Sequence, residues 1–505
     1  MAHTAGKIIQ GSYFDSVTLM LVARDVLALP GVKDAAAIMA TGENKRILAA
    51  SGMDWPGLKE AGDTDLALGV LAESQEAAEA AVTEAQALLD KRKSASGSAT
   101  AYQPRSLDAA IEQDSESNLV LISVAGRYAA GEAMTALQAG KNVMMFSDNV
   151  ALDDEIALKQ FAQEKGLLVM GPDCGTAIIG GIPLAFANVV RRGPIGIVAA
   201  SGTGLQEVSS FIHNLGSGVS HAIGTGGRDI KSAVGGITFL SALAALKSDS
   251  DTQVVVLVSK TPDADVLERI AAAVTDLGKP AVAIFIGADP AVVAKSGAIP
   301  AQTLEEAARR AVALAEGKAL SDAELACPPL PDSIQRREGG RYVRGLFCGG
   351  TFSQEAVHLL KPVLGDICTN VTGELEDPDH SAGHTIIDMG GDEFTAGRPH
   401  PMIDYSLRNK RIVQEAQDPE TAVILIDVVL GFGSNMNPAT ELQPVLEEVR
   451  ALDNPPPIVF HVCGTDADPQ QRNATVQRLR DAGGIWAESN AIAVQWAGQL
   501  IEEQQ

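Results

Sequence analysis

Continuous apolar runs alternate with longer segments whose apolar residues recur at helical spacing through most of this chain. Residues 195–200, 254–259 and 281–286 are such runs, and a turn with an amphipathic segment follows the first of them directly. Short apolar runs without polar alternation are typical of strands that are buried on both faces. The pattern therefore predicts parallel β-sheets covered by helices, which is an α/β fold.

One strand–turn–helix pattern occurs twice. Residues 201–207 read S-G-T-G-L-Q-E and residues 349–355 read G-G-T-F-S-Q-E, each after an apolar run. Later segments keep the same order in both halves, namely 224–229, 254–259 and 281–290 in the first and 388–392, 423–427 and 458–469 in the second. We predict two homologous flavodoxin-like domains that face each other, with two helix N-termini converging on one anion. The alternative is two unrelated Rossmann-like halves whose glycines coincide by chance.

The remaining pattern divides the chain into four blocks, so the predicted fold class is multi-domain α/β. The blocks are residues 1–93, a small split α/β domain of ferredoxin-like type; 105–192, a Rossmann-like unit; and the two flavodoxin-like domains at 193–320 and 342–505. Residues 93–100 are predicted to be a flexible linker. No G-x-G-x-x-G motif follows the first strand of the second block, which argues against NAD or FAD.

Composition and charge exclude several classes of partner. The net charge of −25 argues against nucleic acid and anionic membranes, because both would be repelled. No apolar run approaches the length of a membrane-spanning helix and the N-terminus lacks the layout of a signal peptide, so we expect a cytoplasmic protein. The five cysteines are scattered without a C-x-x-C pair and the eight histidines lack ligand spacing. We therefore expect free thiols and no metal.

Several stretches of the sequence carry a resemblance to a known family: residues 146–149 (F-S-D-N), 171–175 (G-P-D-C-G), 201–203 and 226–229 (G-G-R-D) are the stretches concerned. They look like the α subunit of the succinyl-CoA synthetases, and the second repeat looks like the carboxyl-terminal ligase domain of the β subunit. This arrangement in one chain, together with residues 143–150 and 397–404, is similar to the FdrA family. The resemblance implies a CoA-binding-type fold for residues 105–192 and ligase-type folds for 193–320 and 342–505.

The FdrA resemblance also implies a function. Members are linked to allantoin breakdown as a subunit of oxamate carbamoyltransferase, which interconverts oxalurate plus phosphate with oxamate plus carbamoyl phosphate. From this resemblance we expect a transferase that acts with two partner subunits encoded by neighbouring genes, in a homo- or hetero-oligomer. Its ligands would be small anions, with phosphate or carbamoyl phosphate as substrate, and CoA is possible but not favoured.

One departure from the succinyl-CoA synthetases argues against ATP-dependent acyl-CoA synthesis. Those enzymes pass a phosphoryl group through a histidine that precedes a small-Gly-Ala-Ile stretch, and the matching stretch here is 295–299, with Lys295 in the place of the histidine. A lysine ammonium cannot act as the neutral nucleophile that this chemistry needs. The chain also carries only the last domain of the β subunit and no ATP-grasp domain.

The candidate site residues fall into three groups. The phosphate-binding candidates, by match to the synthetase, are the turn at Ser201, Gly202, Thr203 and Gly204, together with Gly226, Gly227, Gly431, Gly433 and Ser434. The catalytic candidates are Arg228, Arg398 and His400, and the pocket candidates are Asp173, Cys174 and Gly175. Glycine-rich turns before helices expose backbone N–H groups to anions, and arginines stabilise developing negative charge.

Each candidate has a structural alternative. The glycines can serve tight turns alone, and Arg228 can form a structural Arg–Asp pair. Cys174 can be a packed residue rather than a nucleophile, and Arg398 and His400 can stabilise a turn. Two other classes of function stay open: an acyl-CoA ligase or transferase that binds CoA through residues 105–192, and a non-catalytic scaffold for partner subunits.

Overall fold

A computed structural model describes residues 3–12, 14, 16–95, 104, 106–331, 334, 336–373, 375, 377–395 and 399–502. The chain forms two compact units. The small unit contains residues 1–113 and 392–404, and the large unit contains residues 114–391 and 405–505. In the part of the chain that the structure describes, no helix is both long and apolar enough to cross a bilayer.

The small unit is built around a three-stranded antiparallel sheet, sheet A, in the order β1-β3-β2. Its elements are β1 (His3–Ile9), α1 (Ser16–Leu27), β2 (Val32–Met39), α2 (Gly42–Ala50), β3 (Leu66–Ala72), α3 (Gln75–Ala95), α4 (Leu107–Gln113) and, later in the chain, α14 (Asp392–Thr395). The central strand β3 runs antiparallel to both neighbours, so β1-α1-β2 is the split β-α-β unit expected from the sequence. Helix α2 was not expected. Residues 93–95 of the proposed linker continue α3, and 96–100 lie outside the described residues.

Both faces of sheet A are covered. One face packs against apolar residues of α1 and α3, such as Leu19 and Leu89. The other carries a second core around Trp55 and Leu48. A β-carbon added at Gly6 would lie 2.1 Å from Trp55 Cδ2, so glycine allows the indole ring to lie directly on the strand.

Sheet B begins the large unit and has three parallel strands in the order β4-β5-β6. Its elements are β4 (Leu119–Ile122), α5 (Gly126–Gln138), β5 (Asn142–Met145), α6 (Leu152–Lys165) and β6 (Val169–Met170). Met144 and Met170 belong to the same hydrophobic core as Leu257 and Ala283 of the next sheet. The Rossmann-like strands are therefore packed as one body with the domain that follows.

Sheet C has seven strands in the order β13-β12-β11-β9-β10-β7-β8. Its elements are β7 (Thr176–Ile179), β8 (Ile182–Ala185), β9 (Ile195–Ala199), α7 (Gly202–Asn214), β10 (Val219–Gly224), α8 (Ile237–Ser248), β11 (Val254–Lys260), α9 (Ala264–Asp276), β12 (Ala281–Ile286), α10 (Pro290–Ala294), β13 (Ile299–Pro300), α11 (Leu304–Ala315) and, past its edge, α12 (Asp322–Leu325). The five strands from β9 onwards are parallel. The β7–β8 hairpin, which the sequence patterns did not predict, pairs antiparallel with β10 although it lies within residues 105–192.

Sheet D has six parallel strands in the order β15-β16-β14-β17-β18-β19. Its elements are β14 (Tyr342–Phe347), α13 (Gly350–Leu364), β15 (Ile367–Cys368), β16 (His384–Asp388), α15 (Ser406–Gln417), β17 (Thr421–Val429), α16 (Pro438–Arg450), β18 (Ile458–Cys463), α17 (Arg472–Asp481), β19 (Ile485–Trp486) and α18 (Asn490–Glu502). Without the extra edge strand β15, sheet D has the 2-1-3-4-5 order of the parallel part of sheet C, which is the flavodoxin-like order. The α/β fold and the repeat of two flavodoxin-like domains are thus confirmed. We call them the first and second α/β domains.

Candidate functional site

The repeated turns lie at equivalent points in the two α/β domains. The Ser201 turn (residues 201–204) follows β9 and begins α7, and the Gly349 turn (residues 349–352) follows β14 and begins α13. Thr203 and Thr351 occupy the same helical position, as the repeat predicts. In each sheet the strand order reverses beside the strand that precedes the turn, and ligands of doubly wound sheets bind in the crevice at this point.

The two turns face each other in a reciprocal arrangement. Ser201 Oγ and Thr351 Oγ1 share a hydrogen bond of 2.5 Å. In return, a β-carbon added at Gly349 would lie 3.0 Å from Thr203 Cγ2. The first position of each turn therefore contacts the third position of the other, as expected for two turns related by an approximate two-fold axis. The expectation that the domains face each other through these helix N-termini is confirmed.

The Ser201 turn is open. Ser201 caps α7 by accepting a hydrogen bond from the N–H of Gly204. Gly202 is exposed, and among the described residues no acceptor lies in hydrogen-bonding distance of the N–H groups of Gly202 and Thr203. A β-carbon added at Gly202 would meet only Thr176 Oγ1, at 3.7 Å. The positive end of a 13-residue helix is thus available to an anion.

The Gly349 turn is closed by a carboxylate of its own domain. Asp427 at the end of β17 accepts hydrogen bonds from the N–H groups of Cys348 (2.8 Å) and Gly349 (2.9 Å). Arg408 Nη1 lies 2.9 Å from the same carboxylate, and both side chains are fully buried. The strand registers place Val258 at the equivalent position of the first domain, so no carboxylate fills the Ser201 turn. A second carboxylate, Asp388, has its Oδ2 2.6 Å from the β-carbon position of Gly350, the equivalent of Gly202, so both carboxylates disfavour an anion in the second crevice.

Two further predicted groups lie beside the Ser201 turn. Gly226 adopts a φ of 82°, and a β-carbon there would lie 2.3 Å from Pro172 O, so glycine allows the turn after β10 to contact residues 171–173. Gly227 is exposed, with no atom near its β-carbon position. Asp173 is exposed and Gly175 is half-buried, in the segment that leads into Thr176.

Cys174 is a packed thiol. It is buried, and its Sγ donates to the carbonyl of Thr176 at 3.5 Å. Burial raises the pKa of Cys174 to about 12, so the thiolate needed for nucleophilic attack does not form at neutral pH. This geometry supports the structural alternative for Cys174.

The loop that contains Gly431, Gly433 and Ser434 is joined to the same region through residues 186–188. Thr176 Oγ1 donates to Phe186 O at 2.6 Å, and Phe432 N donates to Ala187 O at 3.0 Å. Two further groups of the loop are also bonded: Gly431 N donates to Gln470 Oε1, and the hydroxyl of Ser434 donates to Leu430 O at 3.5 Å. The N–H groups of Gly431 and Phe432 are therefore not available to an anion.

A hydrogen-bond network fixes this loop relative to α7. Asn188 Nδ2 donates to Leu430 O (3.0 Å) and to Asp468 Oδ2 (2.9 Å). Asn188 Oδ1 accepts from Gln206 Nε2 at 3.1 Å. Gln206 of the repeated Gln-Glu pair thereby joins the first domain to loops of the second.

Arg228 belongs to a structural ion-pair network. Its Nε lies 2.8 Å from Glu155 Oε2, and its Nη2 donates to Val150 O. Glu155 also pairs with Lys159, which in turn pairs with Asp229 at 2.8 Å. Of the four charged side chains, only that of Arg228 is exposed, at 46%. The partner of Arg228 is thus Glu155 of helix α6, and Asp229 pairs with Lys159 instead.

The two remaining catalytic candidates lie outside the described part of the large unit. Arg398 lies outside the described residues. His400 belongs to the small unit, whereas the turn belongs to the large one. His400 Nδ1 accepts from Met402 N at 3.2 Å, and its carbonyl accepts from the N–H groups of Ile403 and Asp404. These bonds support a turn-stabilising role for His400.

The structure also reveals a buried polar cluster that the sequence analysis did not identify. Glu207 and Glu355, each one turn into its helix, are 1% exposed, and His461 on β18 is fully buried. Burial raises the pKa of Glu207 to about 8 and that of Glu355 to about 7, and it lowers the pKa of His461 to about 3. The repeated Gln-Glu pair was the available signal, because an acidic residue on the buried face of two equivalent helices is costly.

Comparison with known proteins identifies the family. YahF of Escherichia coli is 42% identical over 490 residues, which cover 95% of each chain. Models described as "CoA binding domain" and "CoA-ligase" match residues 191–287 and 346–500. The chain belongs to the succinyl-CoA synthetase-like family that includes YahF. A further model, "AllF, heavy metal-associated domain", matches residues 1–104.

CoA-ligase subunits with named substrates match about a third of the chain. Subunit alpha 2 of the succinate–CoA ligase of Archaeoglobus fulgidus is 28% identical over 180 residues, or 35% of this chain and 61% of the relative. The malate–CoA ligase subunit alpha of Methylorubrum extorquens is 28% identical over 202 residues, or 37% of this chain and 66% of the relative. The chain therefore spans about two thirds or less of these relatives.

The comparisons correct the enzyme class expected from the sequence. The assignment as a carbamoyltransferase is wrong, because the matching families and relatives are CoA ligases. Oxamate and carbamoyl phosphate find no support as substrates. The CoA-binding match also covers residues 191–287, whereas the sequence analysis placed the CoA-binding type at 105–192.

The metal association in the name of the N-terminal family does not fit the residues of this chain. Residues 1–104 contain no cysteine and a single histidine, His3. In the part of the chain that the structure describes, no group of three or more His, Cys, Asp or Glu side chains is arranged to hold a metal ion. The domain therefore has the fold without the soft ligands that transition metals prefer.

Proposed function

We propose that this chain is a CoA-ligase-type protein whose first α/β domain binds one phosphoryl group, carried by phosphate, an acyl phosphate or CoA, at the Ser201 turn. The unpaired N–H groups of Gly202 and Thr203 at the positive end of α7 carry this proposal. The corresponding turn of the second domain has the carboxylates of Asp427 and Asp388 beside it instead, so the proposed stoichiometry is one anion per chain.

The CoA part of the proposal is placed at sheet C. The CoA-binding family model matches this domain, and the strand order reverses beside β9, where doubly wound sheets bind ligands. Sheet B lacks such a reversal, because its strands run in the order β4-β5-β6. A CoA molecule at the edge of sheet C would present its phosphates to the helix N-terminus and to the exposed glycine at 227.

The residues at the turn would bind and orient rather than react. The N–H groups of Gly202 and Thr203 would hold the phosphoryl oxygens, and Thr176 lies next to the same space. Lys295 is exposed at the end of α10, where a phosphorylated histidine would be expected by resemblance, and His461 is fully buried. The relatives with named substrates are ligase subunits, and we propose that this chain likewise acts on a small carboxylic acid together with a nucleotide-binding partner.

The experiment is a calorimetric titration of the full chain with sulfate, inorganic phosphate and CoA. Gly202→Leu should abolish binding, because the side chain would extend over the N–H groups, while Gly202→Ala should bind nearly normally. Both should fold, since the β-carbon position is open and Gly202 does not have a positive φ. Equal anion affinity in the wild type and the Leu variant would refute the site. Binding of CoA without binding of sulfate or phosphate would identify CoA as the carrier of the phosphoryl group.

A further inference from the structure

Glu207 and Glu355 occupy equivalent positions in α7 and α13 and cross the interface between the α/β domains in opposite directions. Glu355 Oε1 of the second domain accepts a hydrogen bond of 2.8 Å from the N–H of Leu304, the first residue of α11 in the first domain. Glu207 of the first domain accepts from the N–H of Asn490, the first residue of α18 in the second. Each carboxyl group thus binds the N-terminus of the last helix of the other domain.

Asn490 links the two carboxyl groups directly. Its backbone N–H is bonded to Glu207, and its side-chain amide donates to Glu355 Oε2 at 2.8 Å. The same amide donates to Phe352 O, the last residue of the Gly349 turn, at 3.1 Å. The pair is therefore joined by one residue to the turn that contacts Ser201.

No cation neutralises this pair. Among the described residues, the one ion-pair contact of either carboxyl group is His461 Nε2, 4.0 Å from Glu207 Oε1, and burial keeps that imidazole neutral by lowering its pKa to about 3. The other titratable groups that face the pair are Cys463 on β18, Arg472 on α17 and Glu305 on α11. Arg472 is directed elsewhere, because its guanidinium stacks on Trp486 and its Nε donates to Val462 O.

Two negative charges in this buried place would repel each other and lack a counter-ion. The repulsion would act between α7 and α13, one turn from the contact of Ser201 with Thr351. A single proton on the pair removes it and leaves one carboxylate to accept the helix N–H groups.

We propose that Glu207 and Glu355 are positioning residues that share a proton across the domain interface, and that this proton couples the closed arrangement of the two turns to anion binding at the Ser201 turn. The proposal rests on the proposed function of that turn. Its consequence is that anion affinity falls as the pH rises and the pair loses its proton, because the two helix N-termini then separate.

The test is the sulfate affinity of the full chain between about pH 6 and about pH 9, a range in which sulfate itself does not titrate. We expect the wild-type affinity to fall by about tenfold over this range, a coupling of ordinary size. Glu207→Gln and Glu355→Gln keep the shape but remove one titrating group each, and both should give a nearly flat profile. Glu268→Gln on α9, which is exposed, is the matched control and should keep the wild-type profile.

The outcomes separate the two proposals. Sulfate binding with the same pH profile in the wild type and both Gln variants would overturn the coupling and leave the anion site standing. Absence of sulfate, phosphate and CoA binding at every pH would overturn both. Circular dichroism of the Gln variants ensures that a flat profile reflects the lost proton rather than a lost fold.

Discussion

The closure of the second turn by Asp427 makes the sharpest prediction about stability. The substitution Asp427→Asn keeps a side chain of nearly the same size but removes the negative charge that neutralises Arg408. Both side chains are fully buried, with Nη1 2.9 Å from Oδ1. The substitution also places an amide donor or a weaker acceptor against the N–H groups of Cys348 and Gly349, which both depend on this carboxylate.

The expected loss is about 3–5 kcal/mol, the usual cost of leaving one partner of a buried ion pair uncompensated. A displaced hydrogen bond to a buried N–H would by itself cost about 1–3 kcal/mol, and the two costs overlap because they arise from one side chain. Removing both charges with Asp427→Val and Arg408→Met should cost less than the sum of the two single changes, although the N–H groups of Cys348 and Gly349 then lose their acceptor. Val258 shows that valine fits at the equivalent position of the first domain.

The assay is urea unfolding followed by tryptophan fluorescence in a Trp55→Phe background. The two other tryptophans, Trp486 and Trp496, lie in β19 and α18, so the signal reports on the second α/β domain. A loss below about 1 kcal/mol for Asp427→Asn would refute the argument that this ion pair is dry and uncompensated. So would a double variant whose loss equals the sum of the two single losses, since contacting residues should be coupled.

Three further predictions concern the large unit. Burial raises the pKa of Cys174 to about 12, so iodoacetamide at neutral pH should label the exposed Cys368 first, and mass spectrometry that finds Cys174 labelled in the folded chain would contradict this. Arg228→Met should lower the free energy of unfolding by about 1 kcal/mol, seen as a modest drop in melting temperature, and should leave the sulfate affinity unchanged. A loss of sulfate affinity without a loss of stability would instead indicate a functional role for this arginine. Burial raises the pKa of Glu207 from 4.5 to about 8 and that of Glu355 from 4.5 to about 7. The stability that the protonated pair contributes is therefore complete below about pH 4.5 and is lost as the pH rises from there to about 8. Melting temperatures measured against pH should fall less steeply in Glu207→Gln, and parallel curves would count against the raised pKa.

The sequence determined the local elements and the repeat. Continuous apolar runs such as 254–259 have no polar face to expose, and that property alone makes them buried strands of a parallel sheet. The two copies of the Gly-Thr-x-x-Gln-Glu pattern placed Thr203 and Thr351 correctly on equivalent turns, because the position of a residue in a strand–turn–helix unit is a local matter. The similarity to known chains then decided that the family is succinyl-CoA synthetase-like, whereas the resemblance to FdrA had suggested a transferase.

Only the tertiary structure decided which of the two turns is open. Asp427 and Val258 follow similar apolar runs, and nothing local states that one side chain reaches the N–H groups of a turn on the neighbouring strand. The partner of Arg228 was equally hidden, since Glu155 lies on a different helix and only the packing of α6 brings it within 2.8 Å. The proton-sharing glutamates depend on contacts between two domains that each fold by their own pattern. Charges and hydrogen bonds act over a few ångströms in space, so their pairing is set by packing and not by spacing along the chain.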